Sequence, residues 1–174
     1  MAERLVKVLL IGYGNPGRRD DGLGPALAEA IERLRLPGVQ VEANYQLTIE
    51  DAVAVAEHDV VIFADAAVEG SEPFFFRPVT TDDAELGFST HNVAPAAVLA
   101  LAQQLFAART RGYVLGVRGY VFDDFGEVLS ERAQRNLAAA VAFVERLVRE
   151  GKLDALAAES RATPGERRCT TAGL

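Results

Sequence analysis

Two acidic residues and one histidine stand where strands and the loops after them could bring catalytic groups together. Asp21 lies in a glycine-rich loop after an apolar run, Asp65 ends another apolar run, and His91 precedes a leucine-rich stretch. Two neighbouring carboxylates repel each other, so one of them holds a proton unless a cation joins them. Two carboxylate oxygens and one imidazole suit a borderline divalent ion such as nickel, zinc or cobalt.

The elements that must position these residues alternate between strand and helix. Apolar β-rich runs predict strands, and apolar residues that recur on one face predict helices. Pro78 favours an edge position for the fourth strand. The predicted strands are 5–11, 39–43, 60–64, 74–79 and 113–119, and the predicted helices are 23–36, 48–58 with Thr48 as its N-cap, 92–107, and 131–150 with Ser130 as its N-cap.

This alternation predicts an α/β fold, a three-layer αβα sandwich around a mostly parallel twisted sheet of about five strands, of the phosphorylase/hydrolase-like kind. Residues 1–151 form a single predicted catalytic domain, and residues 152–174 form a polar tail that we expect to be mobile. In such a sheet, functional residues gather beyond the carboxyl ends of the strands. Asp21 and Asp65 lie at that edge, and His91 could reach it.

Composition excludes several classes of partner. The formal net charge is −7, and no dense Lys/Arg run appears beyond short pairs such as Arg167-Arg168, which argues against nucleic acid and anionic membranes as partners. The apolar run 5–11 is too short for a signal sequence or a membrane span. A single cysteine, Cys169, cannot form a disulfide within the chain and favours a reducing, cytoplasmic location.

The glycine-rich loop has a first possible meaning in dinucleotide binding. Gly12-x-Gly14-x-x-Gly17 follows a strand, as it does where a backbone approaches a pyrophosphate. Pro16 interrupts the expected helix start, and the acidic pair Asp20-Asp21 would point toward the phosphate. Two like charges about 4 Å apart cost on the order of 4 kcal/mol at an effective dielectric near 20.

A second meaning uses the run from Gly12 to Gly17 alone, which looks like the opening of peptidyl-tRNA hydrolases. In that family a nearby Arg-His-Asn supplies the catalytic histidine. Here Arg18-Arg19-Asp20-Asp21 stands in its place, and His91-Asn92 is far along the chain. The acidic net charge also argues against a tRNA substrate.

A third meaning uses the whole loop. Gly12-x-Gly14-Asn15 followed by Asp20-Asp21-Gly22-x-Gly24 resembles the nickel–iron hydrogenase maturation endopeptidases. Asp65-Ala66 after an apolar strand and Ser89-x-His91 before a leucine-rich helix match two further positions of that family. The resemblance covers residues 5–145 in element order, and the combination of three motifs is more specific than any one of them.

The resemblance implies a hydrolase of the aspartyl-type endopeptidase class that removes the C-terminal extension of a hydrogenase large-subunit precursor. Asp21, Asp65 and His91 match the family's metal-binding and catalytic residues. The divalent metal, most often nickel, would arrive with the precursor, and no organic cofactor is implied. Either a metal-polarised carbonyl or a water activated by one of the two acids would complete the reaction.

Several residues have alternative roles. Asp20 could cap the first helix. Asn15 could shape its turn through the side-chain amide rather than touch substrate, although Gly14, Asn15 and Gln46 are all candidates for the loop that meets the precursor. Gln46 belongs to Gln46-Leu47-Thr48, a form found in a subgroup of the family. A metal-binding chaperone that holds the precursor without cutting it is a non-enzymatic alternative.

Overall fold

The computed structural model describes residues 4–79, 93–151 and 153. Its strands and helices follow the predicted order. The strands are β1 (Val8–Tyr13), β2 (Val39–Asn44), β3 (Val60–Ala67), β4 (Phe74–Val79) and β5 (Arg111–Arg118). The helices are α1 (Leu23–Leu34), α2 (Asp51–Ala56), α3 (Pro95–Phe106) and α4 (Glu131–Glu150), and a 3-10 turn spans Arg19–Gly22.

One mixed sheet forms the middle layer. Its strand order is β2-β1-β3-β5-β4, with β4 antiparallel to β5 and the other neighbours parallel. Pro78 therefore sits on an edge strand, as predicted, where its missing N–H costs no ladder hydrogen bond. Helices α1 and α4 cover one face, and α2 and α3 cover the other. The predicted three-layer α/β fold with a mostly parallel sheet is confirmed.

The core is divided by the sheet into two apolar layers. Alternate residues of each central strand point to opposite faces, so Leu10 and Ile62 join the layer under α1 and α4, while Ile11 and Phe63 join the layer under α2 and α3. Strands β1 and β3 are buried on both faces, which explains their continuous apolar sequences.

Some predicted boundaries are wrong. The first strand begins at Val8 rather than Leu5, because its pairing with both neighbours starts at Val8. Thr48 does not cap α2, which begins at Asp51. The Asp51 carboxylate instead accepts a hydrogen bond of 2.7 Å from the Thr48 N–H, which closes a turn before the helix.

The end of β3 bears on function. Asp65 was predicted to end the strand, but β3 continues through Ala67 because it stays paired with β5 as far as Ala67 and Arg118. Pairing with β1 stops one residue earlier than Asp65, at Gly12 and Ala64. Asp65 therefore lies on the sheet itself, held by regular backbone pairing on one side only.

Glycines let α1 approach the carboxyl ends of β1 and β3. A Cβ added to Gly24 would lie 2.2 Å from the Tyr13 carbonyl oxygen and 2.7 Å from that of Ala64, and one added to Gly12 would lie 2.1 Å from the Gly24 carbonyl oxygen. The two glycines thus face each other at a backbone-to-backbone contact. This contact fixes where the chain enters α1 relative to the sheet.

Among the described residues, no helix combines the length and the apolar character that a membrane span requires.

The glycine contact predicts a large loss of stability for Gly24→Ala. The new methyl group would collide with two backbone carbonyls, so α1 must move away from the sheet. We expect the free energy of unfolding to fall by about 2–4 kcal/mol, as for other overpacked core positions. Urea unfolding followed by circular dichroism measures it, with the exposed Glu32→Ala on the same helix as control. Equal stability of Gly24→Ala and the wild type would contradict the assigned contact.

Candidate active site

Asp21 and Asp65 meet at the carboxyl edge of the sheet. Asp21 belongs to the 3-10 turn between β1 and α1, and Asp65 lies near the end of β3. Strands β1 and β3 are parallel neighbours, so the loop after one opens beside the end of the other. The two acids, separated by more than forty positions in the sequence, are close enough for the charge on Asp21 to act on Asp65.

Each carboxylate is anchored by a backbone N–H. The Asn15 N–H donates to Asp21 Oδ2 at 3.0 Å, and the Ala66 N–H donates to Asp65 Oδ1 at 2.8 Å. Asp65 also accepts a hydrogen bond from the hydroxyl of Tyr13. Both acids are partly buried, so they are held in place while part of each side chain remains accessible.

The electrostatics of the pair favour a bound cation or proton. Burial raises the pKa of Asp65, the charge on Asp21 also raises it, and the hydrogen bonds from Ala66 and Tyr13 oppose the rise. Together these effects bring the pKa of Asp65 to about 6. Burial, together with the neighbouring charge of Asp65, raises the pKa of Tyr13. A divalent ion between the two acids would relieve their repulsion.

His91 lies outside the described residues, so its predicted meeting with the two acids stays a prediction. Within residues 4–79, 93–151 and 153, no three His, Cys, Asp or Glu side chains form a group that could hold a metal ion. Asp21 and Asp65 supply two oxygen donors of the chemistry that a divalent ion prefers. A third protein ligand would have to come from elsewhere in the chain.

The predicted loop residues have distinct positions. The Asn15 side-chain oxygen accepts a hydrogen bond from the Gly17 N–H at 2.9 Å, so it shapes the turn as the alternative role requires. Gly14 has a φ of +141°, which favours glycine. Gln46 is exposed in the loop after β2, at the same edge as the two acids.

Other parts of the chain lie directly against the glycines of the loop. A Cβ added to Gly14 would lie 2.1 Å from the Asp21 carbonyl oxygen, so the chain itself fills the place above this glycine. The space beside Gly12 and Gly24 is likewise filled, because α1 packs directly on β1 there. These contacts argue against the dinucleotide interpretation, because they use the glycines for close packing within the chain.

Asp20 does not cap α1, contrary to the alternative role considered for it. It is fully buried, and its carboxylate accepts hydrogen bonds from the N–H groups of Tyr120, Val121 and Ser130 at 2.8–3.0 Å and from the Ser130 hydroxyl at 2.7 Å. Burial opposes its ionisation, but these four bonds outweigh burial and hold the pKa of Asp20 below its usual range. Asp20 thereby ties the 3-10 turn to the loop that enters α4.

Sequence reasoning did not single out Tyr13 as a functional residue. It occupies the variable position between Gly12 and Gly14, where the motif places no demand on residue type. The sequence feature that could have identified it is a polar aromatic residue at the end of an otherwise apolar strand, directly before the loop that carries Asp21. Its partner Asp65 lies on another strand, and the sheet order was needed to join them.

Several solved structures with a similar fold are named hydrogenase maturation proteases or endopeptidases. A [NiFe] hydrogenase maturation protease HycI from Thermococcus kodakarensis is 20% identical, with 83% of this chain and 93% of that chain covered and a TM-score of 0.63. A hydrogenase 2 maturation peptidase from a Thaumarchaeota archaeon is 23% identical, with 83% and 98% covered and a TM-score of 0.60. The hydrogenase maturating endopeptidase HybD from Escherichia coli is 22% identical, with 84% and 94% covered and a TM-score of 0.59.

No protein-family model matches the chain, and no curated protein matches it in sequence. The structural likeness confirms the predicted α/β fold over most of the chain. It also agrees with the family that the sequence motifs resemble.

The raised pKa of Asp65 predicts a pH-dependent stability difference. The folded chain binds this proton more tightly than the unfolded chain, so the carboxylate of Asp65 lowers stability as pH rises from about 4 through 6. Asp65→Asn should therefore be more stable than the wild type at pH 7.5, by on the order of 1–2 kcal/mol, and lose this advantage at pH 4. Urea unfolding at both pH values measures it, with the exposed Glu69→Gln as control. A difference independent of pH would contradict the shift.

The hydrogen bonds of Asp20 predict the opposite pH dependence. Asp20→Ala leaves three buried N–H groups without their acceptor, so we expect a loss of about 3 kcal/mol or more at pH 7. The pKa of Asp20 is lowered in the folded chain, so its contribution is complete above about pH 4 and disappears as pH falls further. The difference in the free energy of unfolding between Asp20→Ala and the wild type, measured by urea unfolding, should become smaller below pH 4. The exposed Asp123→Ala is the control, and a gap of the same size at pH 7 and pH 3 would refute this role.

Proposed function

We propose that this chain is a peptidase of the fold just described, with the carboxyl edge of the sheet as its active site. More particularly, it removes the C-terminal extension from a nickel-loaded [NiFe]-hydrogenase large-subunit precursor. The observation that carries the proposal is the meeting of Asp21 and Asp65, each anchored by a backbone N–H, at that edge. The sequence motifs and the names of the structural neighbours agree with it.

The chemistry of the pair fits a substrate that brings its own metal. Without a cation, burial and mutual repulsion disfavour two ionised carboxylates. A precursor that carries nickel would relieve this repulsion on docking, and His91 would add an imidazole donor. A precursor that lacks the metal would leave the repulsion in place, so docking would depend on loading.

Docking through the metal would also place the scissile peptide beside the acids. Proximity and orientation of this kind supply a large part of many enzymatic rate enhancements. Peptide hydrolysis adds water across the C–N bond and yields a carboxylate and an amine. A carboxylate beside the scissile bond, Asp21 or Asp65, can take a proton from that water, and a bound metal can polarise the carbonyl.

The test is incubation with nickel-loaded and nickel-free precursor, followed by intact-mass measurement of the large subunit. We expect shortening of the nickel-loaded precursor by a C-terminal segment and no change in the nickel-free form. A stable complex without shortening would instead favour the non-cleaving chaperone. Shortening that is independent of nickel would contradict the role of the metal.

Asp65→Ala should abolish this trimming while the chain stays folded, because Asp65 lies at the edge and carries little packing. The expected loss is at least about 100-fold in rate, the size seen when a group that acts in the transition state is removed. Glu69→Ala is a matched control, since Glu69 is an exposed acid in the loop that follows the same strand. Trimming at the wild-type rate by Asp65→Ala would remove the central role assigned to this carboxylate.

A further inference from the structure

Tyr13 lies beside Asp65 on the sheet. Gly12 pairs with Ala64, so the next residues, Tyr13 at the end of β1 and Asp65 near the end of β3, come side by side. The ring of Tyr13 packs against the apolar layer under α2 and α3, and its hydroxyl donates to the Asp65 carboxylate. Strand pairing and ring packing together fix the position of this hydroxyl.

The two acids of the site are held differently. Asp21 accepts the Asn15 N–H through Oδ2, and Asp65 accepts the Ala66 N–H through Oδ1. A single hydrogen bond leaves such a side chain able to change rotamer about the Cα–Cβ bond and to rotate about the Cβ–Cγ bond. The Tyr13 hydroxyl gives Asp65 a second donor from a neighbouring strand, so both the rotamer of the side chain and the plane of its carboxylate are defined.

We propose that Tyr13 is a positioning residue, which orients the Asp65 carboxylate toward the metal and the scissile peptide. This inference rests on the proposed function for its role in the reaction. The phenol carries its proton at neutral pH, so it acts as a donor throughout the working range. It touches neither substrate nor metal in this role and acts through Asp65.

A positioning role predicts a particular kinetic effect. Many contacts would bind the precursor, whereas the rate of the chemical step depends on the orientation of the Asp65 carboxylate. Misorientation of a reacting group lowers the rate of the chemical step steeply, and displacements near 1 Å can cost about 100-fold. Loss of the hydroxyl should therefore lower kcat and leave KM nearly unchanged.

The test is Tyr13→Phe, which removes the hydroxyl and keeps the ring. We expect kcat for trimming of the nickel-loaded precursor to fall about 10- to 100-fold, with KM within about two-fold and the chain still folded at the assay temperature. The matched control is Tyr45→Phe, because Tyr45 is 72% exposed in the loop after β2, at the same edge of the sheet. Tyr13→Phe with wild-type kcat would overturn the proposal, as would a rise in KM with kcat unchanged.

A second measurement needs no activity. The Hα–Hβ coupling constants of Asp65, read by NMR in the metal-free protein, report whether its side chain holds one rotamer. We expect one rotamer in the wild type and in Tyr45→Phe, and averaged couplings in Tyr13→Phe. Unchanged couplings in Tyr13→Phe would overturn the orienting role, even if the wild type proves unable to trim the precursor. That inability would refute the proposed function, and averaged couplings would still support the orientation of Asp65 by Tyr13.

Discussion

The close contact between the start of α1 and the ends of β1 and β3 is the constraint on which the site depends. Where Gly12 and Gly24 meet, no side chain separates the two backbones. Because the helix cannot shift without losing this contact, the short segment between β1 and α1 has a fixed span to cross. It crosses by a turn that the Asn15 side chain closes and by a 3-10 turn that carries Asp21 to the edge of the sheet.

Asp20 and Asp21 are neighbours in the sequence with opposite environments. Asp20 points into the protein, where four hydrogen bonds stabilise its charge and lower its pKa. Asp21 points to the edge, where one backbone N–H holds it and its charge raises the pKa of Asp65. A 3-10 turn places consecutive side chains about 120° apart, so one acid can support the fold while the next serves the site. The turn thus couples the stability of the loop before α4 to the placement of the reactive carboxylate.

The carboxylates of Asp21 and Asp65 repel each other, and the surrounding structure keeps them together despite this repulsion. Two partly buried carboxylates at one edge cost free energy when both are ionised, and the chain offsets only part of this through Ala66 and Tyr13. Strain of this kind persists where the surrounding structure fixes the groups. Strand pairing fixes Asp65 and the turn fixes Asp21, so the repulsion is available to favour a ligand with positive charge. A metal-bearing substrate would convert it into binding free energy.

Local sequence patterns determined much of this protein. Alternating apolar runs and helical faces predicted the three layers, Pro78 predicted an edge strand, and Ser130 predicted the start of α4, because each of these depends on residues near one another in the chain. The sequence motifs likewise predicted Asp21 and Asp65 as residues of the site. Tertiary structure alone decided that β3 extends past Asp65, that Asp20 bonds to the loop before α4, and that Tyr13 donates to Asp65. Each of these depends on a partner from a different element, and a sequence pattern does not record which strands become neighbours or how far their pairing extends.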